Sequence, residues 1–273
     1  MEELTLKVFA KINLKLDITG VLEDGYHSLD MVMTSIDVYD LIKAQKSTVN
    51  EVYMDGVLQD DKNTAYKALE VLSLAYGYKM KVEIEKHIPM SAGVGGSSAD
   101  AAGVFFAYSR LYGIDMDYMT KLELSVGSDV VYMTKGGPAK VKCKGEIVFP
   151  IDNFDDMYMI ILQKIPGAPT AQVYKKYDLM GRSIEGNFKA NGIDVFNVLQ
   201  APAITLCREI RFTIDELRKH TEKVFMTGSG SAVCGLFDSY EQAKACLDKI
   251  EGDYVFKNVV KTLPYGIEIV EEM

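Results

Sequence analysis

The sequence predicts an α+β fold, on three observations. Near the N-terminus apolar and polar residues alternate with period two: Ile12, Leu14, Leu16 and Ile18 fall on one side, and Lys11, Asn13, Lys15 and Asp17 on the other. Elsewhere apolar residues recur at helical spacing, in runs bounded by cap residues and glycines. The two patterns are intermixed without a regular βαβ repeat, which argues against a doubly wound parallel sheet.

In chain order, Leu4 to Thr19 is predicted as a strand and Ser28 to Tyr39 as a second. The turn-rich Glu23-Asp24-Gly25-Tyr26-His27 joins them. Met54-Asp55-Gly56-Val57 carries the Asp-Gly signature of a tight hairpin. Asn63 to Tyr76 is predicted as a helix, capped by Asn63 or Thr64 and stopped by Gly77. Met80 to Ile88 is extended, Ser98 to Tyr112 helical up to Gly113, and Asp115 to Val126 helical up to Gly127-Ser128-Asp129. Ala139 to Pro150 is expected to fold as a hairpin around Gly145, and Met157 to Gln163 as a short strand. Pro166 to Thr170 opens a helix over Ala171 to Tyr177, and the polar Met180 to Asn191 reads as a loop. Helices are predicted over Val195 to Arg208, Ile214 to His220 and Tyr240 to Ile250. Strands are predicted at Phe225 to Thr227, Ala232 to Phe237 and the C-terminus.

A chain of 273 residues, 48% hydrophobic, suits one large domain or two ordinary ones. A soft boundary near residue 155 divides it into 1–155 and 156–273. No apolar run approaches the roughly 20 residues of a membrane span. The N-terminal MEELTLKVFAK carries early acids and no apolar signal core, so a cytoplasmic protein without a membrane partner is expected. The net charge of −9 speaks against nucleic acid as a partner. Cys143, Cys207, Cys234 and Cys246 form no Cys-x-x-Cys pair, and His27, His87 and His220 are scattered, so no metal or disulfide framework is suggested.

The segment Pro89 to Ala102, Pro-Met-Ser-Ala-Gly-Val-Gly-Gly-Ser-Ser-Ala-Asp-Ala-Ala, carries the strongest signal. Gly93, Gly95, Gly96, Ser97 and Ser98 fall between an extended run and a helix. Glycines let a backbone approach an anion closely, and the free N–H groups of a helix start favour negative charge. The loop reads as a phosphate cradle, though glycine loops also serve as plain turns. It is neither a Walker A loop, lacking Gly-Lys-Ser/Thr, nor a dinucleotide fingerprint, lacking the third glycine in register.

Other residues admit two readings each. Lys11 and Asn13 share a strand face that is either an ordinary solvent edge or a cation and amide aimed into a cleft. Asp129, after a Gly-Ser break, is either a helix cap or a carboxylate that accepts a substrate proton beside a lysine. Tyr26 and His27 either pack a loop or recognise a planar base. Tyr174 and Lys175, just after Pro169-Thr170, supply an aromatic wall and a cation, or Tyr174 packs inward with Tyr177. Gly228-Ser229-Gly230 is a bare turn or a second glycine loop that sandwiches a site against the first.

Three motifs together resemble the GHMP kinases, the family of galactokinase, homoserine, mevalonate and phosphomevalonate kinases. They are Lys11 near the N-terminus, the Pro89 to Ala102 loop, and the run Met226 to Phe237. The resemblance spans residues 6 to 237 or so. It implies an N-terminal domain like the second domain of ribosomal protein S5, a ferredoxin-like C-terminal domain, ATP under the glycine loop with Mg²⁺, and a substrate between the domains. Ala10 to Leu14 with Asp24-Gly25-Tyr26-His27, Gly127-Ser128-Asp129-Val130, Pro169-Thr170 with Tyr174-Lys175, and Asn197-Val198-Leu199 are similar to one branch of the family. That branch phosphorylates a cytidine-diphosphate-linked sugar alcohol for isoprenoid precursor biosynthesis.

By matching position, the resemblance implies that Asp129 is the base and Lys11 its partner. It implies Asn13, Tyr26, His27, Thr170, Tyr174, Lys175, Gly228 and Gly230 on the acceptor side. Asn63 and Lys86 fall at the adenine pocket, Pro89 and the glycine loop at the nucleotide, and Ser97 and Ser98 near the β- and γ-phosphates and magnesium. The loop form Gly96-Ser97-Ser98-Ala99 is that of the wider family. A kinase of the same fold acting on a smaller alcohol, and a non-catalytic ligand sensor on this scaffold, remain as alternatives. A monomer or homodimer is expected.

Overall fold

The structure, a computed structural model, describes residues 1–273. A long antiparallel pair, β1 (Glu3–Val21) and β2 (His27–Ser47), forms its spine. Three register shifts interrupt that pair, at Phe9/Lys11, Asn13/Lys15 and Ile18/Gly20. Bulges bend a strand and re-aim side chains, and here two of them flank Lys11 and Asn13. β3 (Glu51–Met54) and β4 (Val57–Leu58) form the predicted hairpin, its turn made by Asp55 and Gly56 at φ 49° and 79°. β5 (Lys79–Glu85) pairs with β2 and β3.

Two helices back this sheet. α1 (Thr64–Tyr76) starts where Asn63 accepts from the Ala65 and Tyr66 N–H groups, and it stops at Gly77 with φ 82°. α2 (Gly96–Tyr112) follows the glycine loop. Its inner residues Ala101, Val104, Phe105 and Tyr108 are fully buried. The predicted Asp115 to Val126 helix begins instead as a 3₁₀ turn, Met116–Met119, capped by Asp115, and continues as α3 (Thr120–Val126). α4 (Val130–Lys135) comes next, then the hairpin β6 (Ala139–Cys143) and β7 (Ile147–Pro150).

β8 (Tyr158–Gln163) opens the second half. α5 (Thr170–Met180) runs one turn longer than expected, and β9 (Phe188–Ala190) lies in the segment read as loop. The predicted helix from Val195 is corrected: its first residues form β10 (Ile193–Asn197), and only Gln200–Leu206 is helical, as α6. The cause is tertiary. β1 offers a parallel edge at Lys15 and Leu16, and β10 takes it with Phe196 and Asn197, burying Val195 and Asn197. α7 (Glu209–Arg218) begins before the predicted Ile214. β11 (Val224–Met226), β12 (Val233–Phe237), α8 (Tyr240–Leu247), β13 (Phe256–Leu263) and β14 (Ile267–Glu272) complete the chain.

The strand order β11-β12-β8-β13, antiparallel throughout, with helices after β8 and after β12, is the ferredoxin-like arrangement. Residue 155 falls between β7 and β8, yet pairing crosses that point. Thr262 and Leu263 of β13 meet Ile36 and Ser35 of β2, and β14 returns to β1. One hydrophobic cluster runs through both halves, from Leu4 and Phe105 to Ile160 and Val260. The glycine loop, the residues leading into α4 and the start of α5 are thereby brought to one cleft.

Candidate active site

A cleft of about 1280 Å³ opens between these elements. Every residue singled out from the sequence lines it: Lys11, Asn13, Tyr26, His27, Asn63, Lys86, Pro89, Gly93, Gly95, Gly96, Ser97, Ser98, Asp129, Thr170, Tyr174, Lys175, Gly228 and Gly230.

At its centre Lys11 is only 4% exposed, so the solvent-edge reading of its strand face fails. Its ammonium donates to Asn13 Oδ1 at 2.7 Å and to the Gly93 carbonyl at 3.2 Å, and it lies 3.3 Å from Asp129 Oδ2. An ammonium has three protons to donate, and here three oxygens surround it. Asp129 stands at the N-terminal end of α4, as a capping residue would, but its side chain caps nothing. The carboxylate turns to Lys11 and the cleft instead.

The glycine loop meets the second glycine loop directly. A Cβ on Gly93, whose φ is 80°, would lie 2.5 Å from the Thr227 carbonyl, and one on Gly228 would lie 2.4 Å from the Gly93 carbonyl. Ala232 N–H donates to Ala92 O at 3.0 Å, and Gly167 N–H donates to Ser91 O at 3.0 Å. The two loops thus abut rather than enclose a ligand between them: the second supports the first, and both line the same cleft. Gly95 enters α2 at φ 78° without a side-chain cap, which leaves the first N–H groups of α2 at the cleft. Asn197 anchors the second loop by donating to the Met226 and Gly228 carbonyls at 2.9 and 2.7 Å.

Behind the start of α2 lies a buried cluster that the sequence showed only in part. Lys86 Nζ lies between the carboxylates of Asp40 and Asp100, 2.7 Å from Asp100 Oδ2. Asp40 also accepts the His87 and Ile88 N–H groups at 2.6 and 2.8 Å. Burial raises the Asp100 carboxyl to about 8 against the opposing pull of Lys86. Burial works against the Lys86 ammonium too, but Asp100 and Asp40 outweigh it and raise its pKa. The nearby Asn63 side chain is spent on capping α1 and on Gln59. Asn63 and Lys86 line the cleft with their polar groups already engaged.

The far end of the cleft is aromatic. The rings of His27 and Tyr174 lie 5.0 Å apart, Tyr177 closes on His27 edge-on at 6.2 Å, and Asp178 holds His27 Nε2 at 2.7 Å. Burial, then the Asp129 charge, push the Tyr174 phenol above its ordinary range. Tyr174 therefore satisfies both readings, packed on one side and facing the cleft on the other. Thr170 and Ser229 share a hydrogen bond of 2.9 Å that ties α5 to the second glycine loop. Lys175 is exposed at the rim. Sequence reasoning missed Asp40, Asp178 and Lys144, and took in Asp24 only as part of the Asp24-Gly25-Tyr26-His27 motif. Asp100 lay inside the loop motif and its type alone could have flagged it.

A helix start set for phosphate, a lysine–carboxylate pair and an aromatic wall in one cleft are the equipment of a small-molecule kinase. The chain belongs to the GHMP kinase family. The models for the GHMP kinases N terminal domain and the GHMP kinases C terminal match residues 63–141 and 179–255. The 4-diphosphocytidyl-2-C-methyl-D-erythritol kinase of Clostridium beijerinckii is 32% identical over 94% of this chain and 99% of its own. The enzyme of the same name from Thermoanaerobacter sp. is 31% identical over 99% of this chain and 100% of its own. A crystal structure of 4-(cytidine 5'-diphospho)-2C-methyl-D-erythritol kinase superposes with TM-score 0.75 and 25% identity, covering 94% of this chain and 98% of that one. A mevalonate kinase structure, at TM-score 0.66 and 16% identity, shares the fold. The chain is thus an ATP-using kinase of this fold, and no helix in it is long and apolar enough to cross a membrane.

Proposed function

We propose that this kinase transfers the γ-phosphoryl group of ATP to the 2-hydroxyl of 4-diphosphocytidyl-2-C-methyl-D-erythritol, in isoprenoid precursor biosynthesis. The observation that carries the reading is the pairing, in one cleft, of Lys11–Asp129 with the His27–Tyr174 wall. A small aliphatic acceptor needs no aromatic wall; a nucleobase does. Relatives of that name match this chain along nearly its whole length.

In this reading Asp129 orients the acceptor hydroxyl and takes its proton as the oxygen bonds to the γ-phosphorus and the bridging oxygen leaves with ADP. Lys11 fixes the carboxylate and neutralises charge on the transferring group. Gly93, Gly95, Gly96, Ser97 and Ser98 hold the nucleotide phosphates on backbone N–H groups, and Asn63, Lys86 and Pro89 shape the nucleotide end. Asn13, Tyr26, His27, Thr170, Tyr174 and Lys175, with Gly228 and Gly230, form the acceptor side. Since phosphoryl transfer has a loose transition state in most analyses, positioning and charge stabilisation carry the rate.

No group of three or more His, Cys, Asp or Glu side chains gathers as a metal site. Ser97 and Ser98, at the start of α2 in the cleft, would offer hydroxyl oxygens to Mg²⁺ brought in on ATP, an ion that keeps several waters and relies on substrate phosphates. When bound, it supplies charge neutralisation on the phosphates. The four cysteines are free thiols, in keeping with a reducing cytoplasm. The test is ATP consumption by the purified protein with the cytidylated alcohol, mevalonate and homoserine in parallel. Turnover of the cytidylated alcohol alone is expected. Turnover of either small alcohol in its place would overturn the reading.

A further inference from the structure

The turn between β6 and β7 touches both ends of the acceptor side. At one end Gly145 rests on Ser128, the neighbour of Asp129: a Cβ there would sit 2.4 Å from the Ser128 carbonyl oxygen. Gly145 also holds φ at 124°, so glycine alone closes this contact. At the other end Lys144 crosses to the loop between β1 and β2. Its ammonium pairs with the Asp24 carboxylate and lies over the Tyr26 ring, 4.7 Å from the centroid. Asp24 in turn accepts the Tyr26 N–H at 3.2 Å, and Glu146 accepts the Lys144 N–H at 2.7 Å. Asp24, Tyr26, Ser128, Asp129 and Lys144 all line the cleft. Tyr26 is 60% exposed, so with little packing around it the ring takes its orientation from this latch.

We propose that Lys144 is a positioning residue that determines acceptor specificity, holding Tyr26 as a nucleobase platform at a set distance from Asp129. The ammonium covers one face of the ring and leaves the other for a stacked base. Through Gly145 and Ser128 the same turn ties that platform to the segment carrying the catalytic carboxylate. An acceptor made of base, diphosphate and sugar alcohol then brings its hydroxyl to Asp129 only when its length fits. The inference rests on the acceptor reading above.

The test measures cytidine diphosphate binding by calorimetry, with the nucleotide side filled by a non-hydrolysable ATP analogue. Wild type, K144M, K144R, Y26A and the K144M/Y26A double variant are compared, alongside steady-state kinetics with the cytidylated alcohol. K144M is expected to weaken cytidine diphosphate about tenfold and to raise the acceptor KM similarly, with kcat and the KM for ATP within about twofold of wild type. K144R restores most of the loss, and the double variant binds no more weakly than Y26A. Unchanged binding in K144M, fully multiplicative losses in the double variant, or a wild type that does not bind cytidine diphosphate would each overturn the proposal. A wild type that binds cytidine diphosphate but leaves the cytidylated alcohol unphosphorylated refutes the acceptor reading alone, and the binding cycle still decides the role of Lys144.

Discussion

Lys11 Nζ and Asp129 Oδ2 meet at 3.3 Å, one group from the bulged centre of β1 and the other from the start of α4. Asn13 and the Gly93 carbonyl hold the same ammonium, so its position depends on three separate elements. Asp129→Asn keeps the shape but removes the carboxylate proposed as the proton acceptor. Lys11→Met removes the charge that fixes the carboxylate. Each is expected to lower kcat on the order of 10²-fold or more at saturating acceptor and ATP. Near-normal turnover in either purified, folded variant would exclude the assigned roles.

Gly93 separates loop shape from loop chemistry. Its φ of 80° disfavours any side chain, and a Cβ would press on the Thr227 carbonyl at 2.5 Å. Gly93→Ala therefore pushes the two glycine loops apart and drags the Gly93 carbonyl from Lys11. A loss of about 1–3 kcal/mol in stability and a KM for ATP raised several-fold are expected. Urea unfolding and ATP titration check the two effects. An alanine variant with wild-type values for both would show that the loop contact has no role.

The features legible in the sequence are those decided locally. Asn63 caps and Gly77 stops a helix because each acts within one turn of itself, and Asp55-Gly56 makes its own hairpin. Lys11, Asn13 and the loop from Gly93 to Ser98 were legible because their types and order match a known pattern. β10 was not, since Ile193 to Asn197 become a strand only because β1 leaves a parallel edge open at Lys15 and Leu16. The pairing of Lys86 with Asp40 and Asp100 was hidden for the same reason: the three come from just after β5, from β2 and from α2. Asp129 was left open between a cap and a carboxylate beside a lysine; the short helix α4 that follows it was not predicted, and its side chain goes to Lys11 rather than to that helix.

Glu123 offers a pH test away from the cleft. It is 3% exposed, and burial pushes its carboxyl up to about 7 from an ordinary 4.5, against the pull of Thr134 and Lys135. Between those two values the native state holds a proton that the unfolded state has released, so stability falls as pH rises through the window. Above it the ionised carboxylate is buried at full cost, on the order of 1–3 kcal/mol. Glu123→Gln removes that dependence. Thermal unfolding at pH 5 and pH 8 is expected to show a wild-type loss larger than the variant's by about 2–8 °C. Equal losses would place the titration elsewhere.

Lys86 stands between two buried carboxylates, and removing it leaves both without their counter-ion. Lys86→Met is expected to cost about 3–5 kcal/mol, as for other buried pairs broken on one side. Asp100→Asn is milder than Asp40→Asn, because Asp40 also holds the His87 and Ile88 N–H groups while Asp100 Oδ1 has no partner. Chemical unfolding of the three variants gives the order. A less stable Asp100→Asn than Asp40→Asn would contradict this account of the cluster.

The aromatic wall decides between a base-bearing acceptor and a small alcohol. Tyr174 lies 5.0 Å from the His27 ring, and Asp178 holds His27 by its Nε2. Tyr174 lies on α5 against the His27 ring, so its loss removes an aromatic surface and leaves the glycine loop's own residues in place. Tyr174→Ala removes a stacking surface worth about 1–3 kcal/mol by general precedent for base–aromatic contacts. The acceptor KM is expected to rise about 5- to 100-fold on that scale, with the KM for ATP unchanged. A Tyr174→Ala enzyme that keeps its acceptor KM, or loses ATP affinity in equal measure, would remove the aromatic wall from the acceptor site and with it the main physical argument for a nucleobase there.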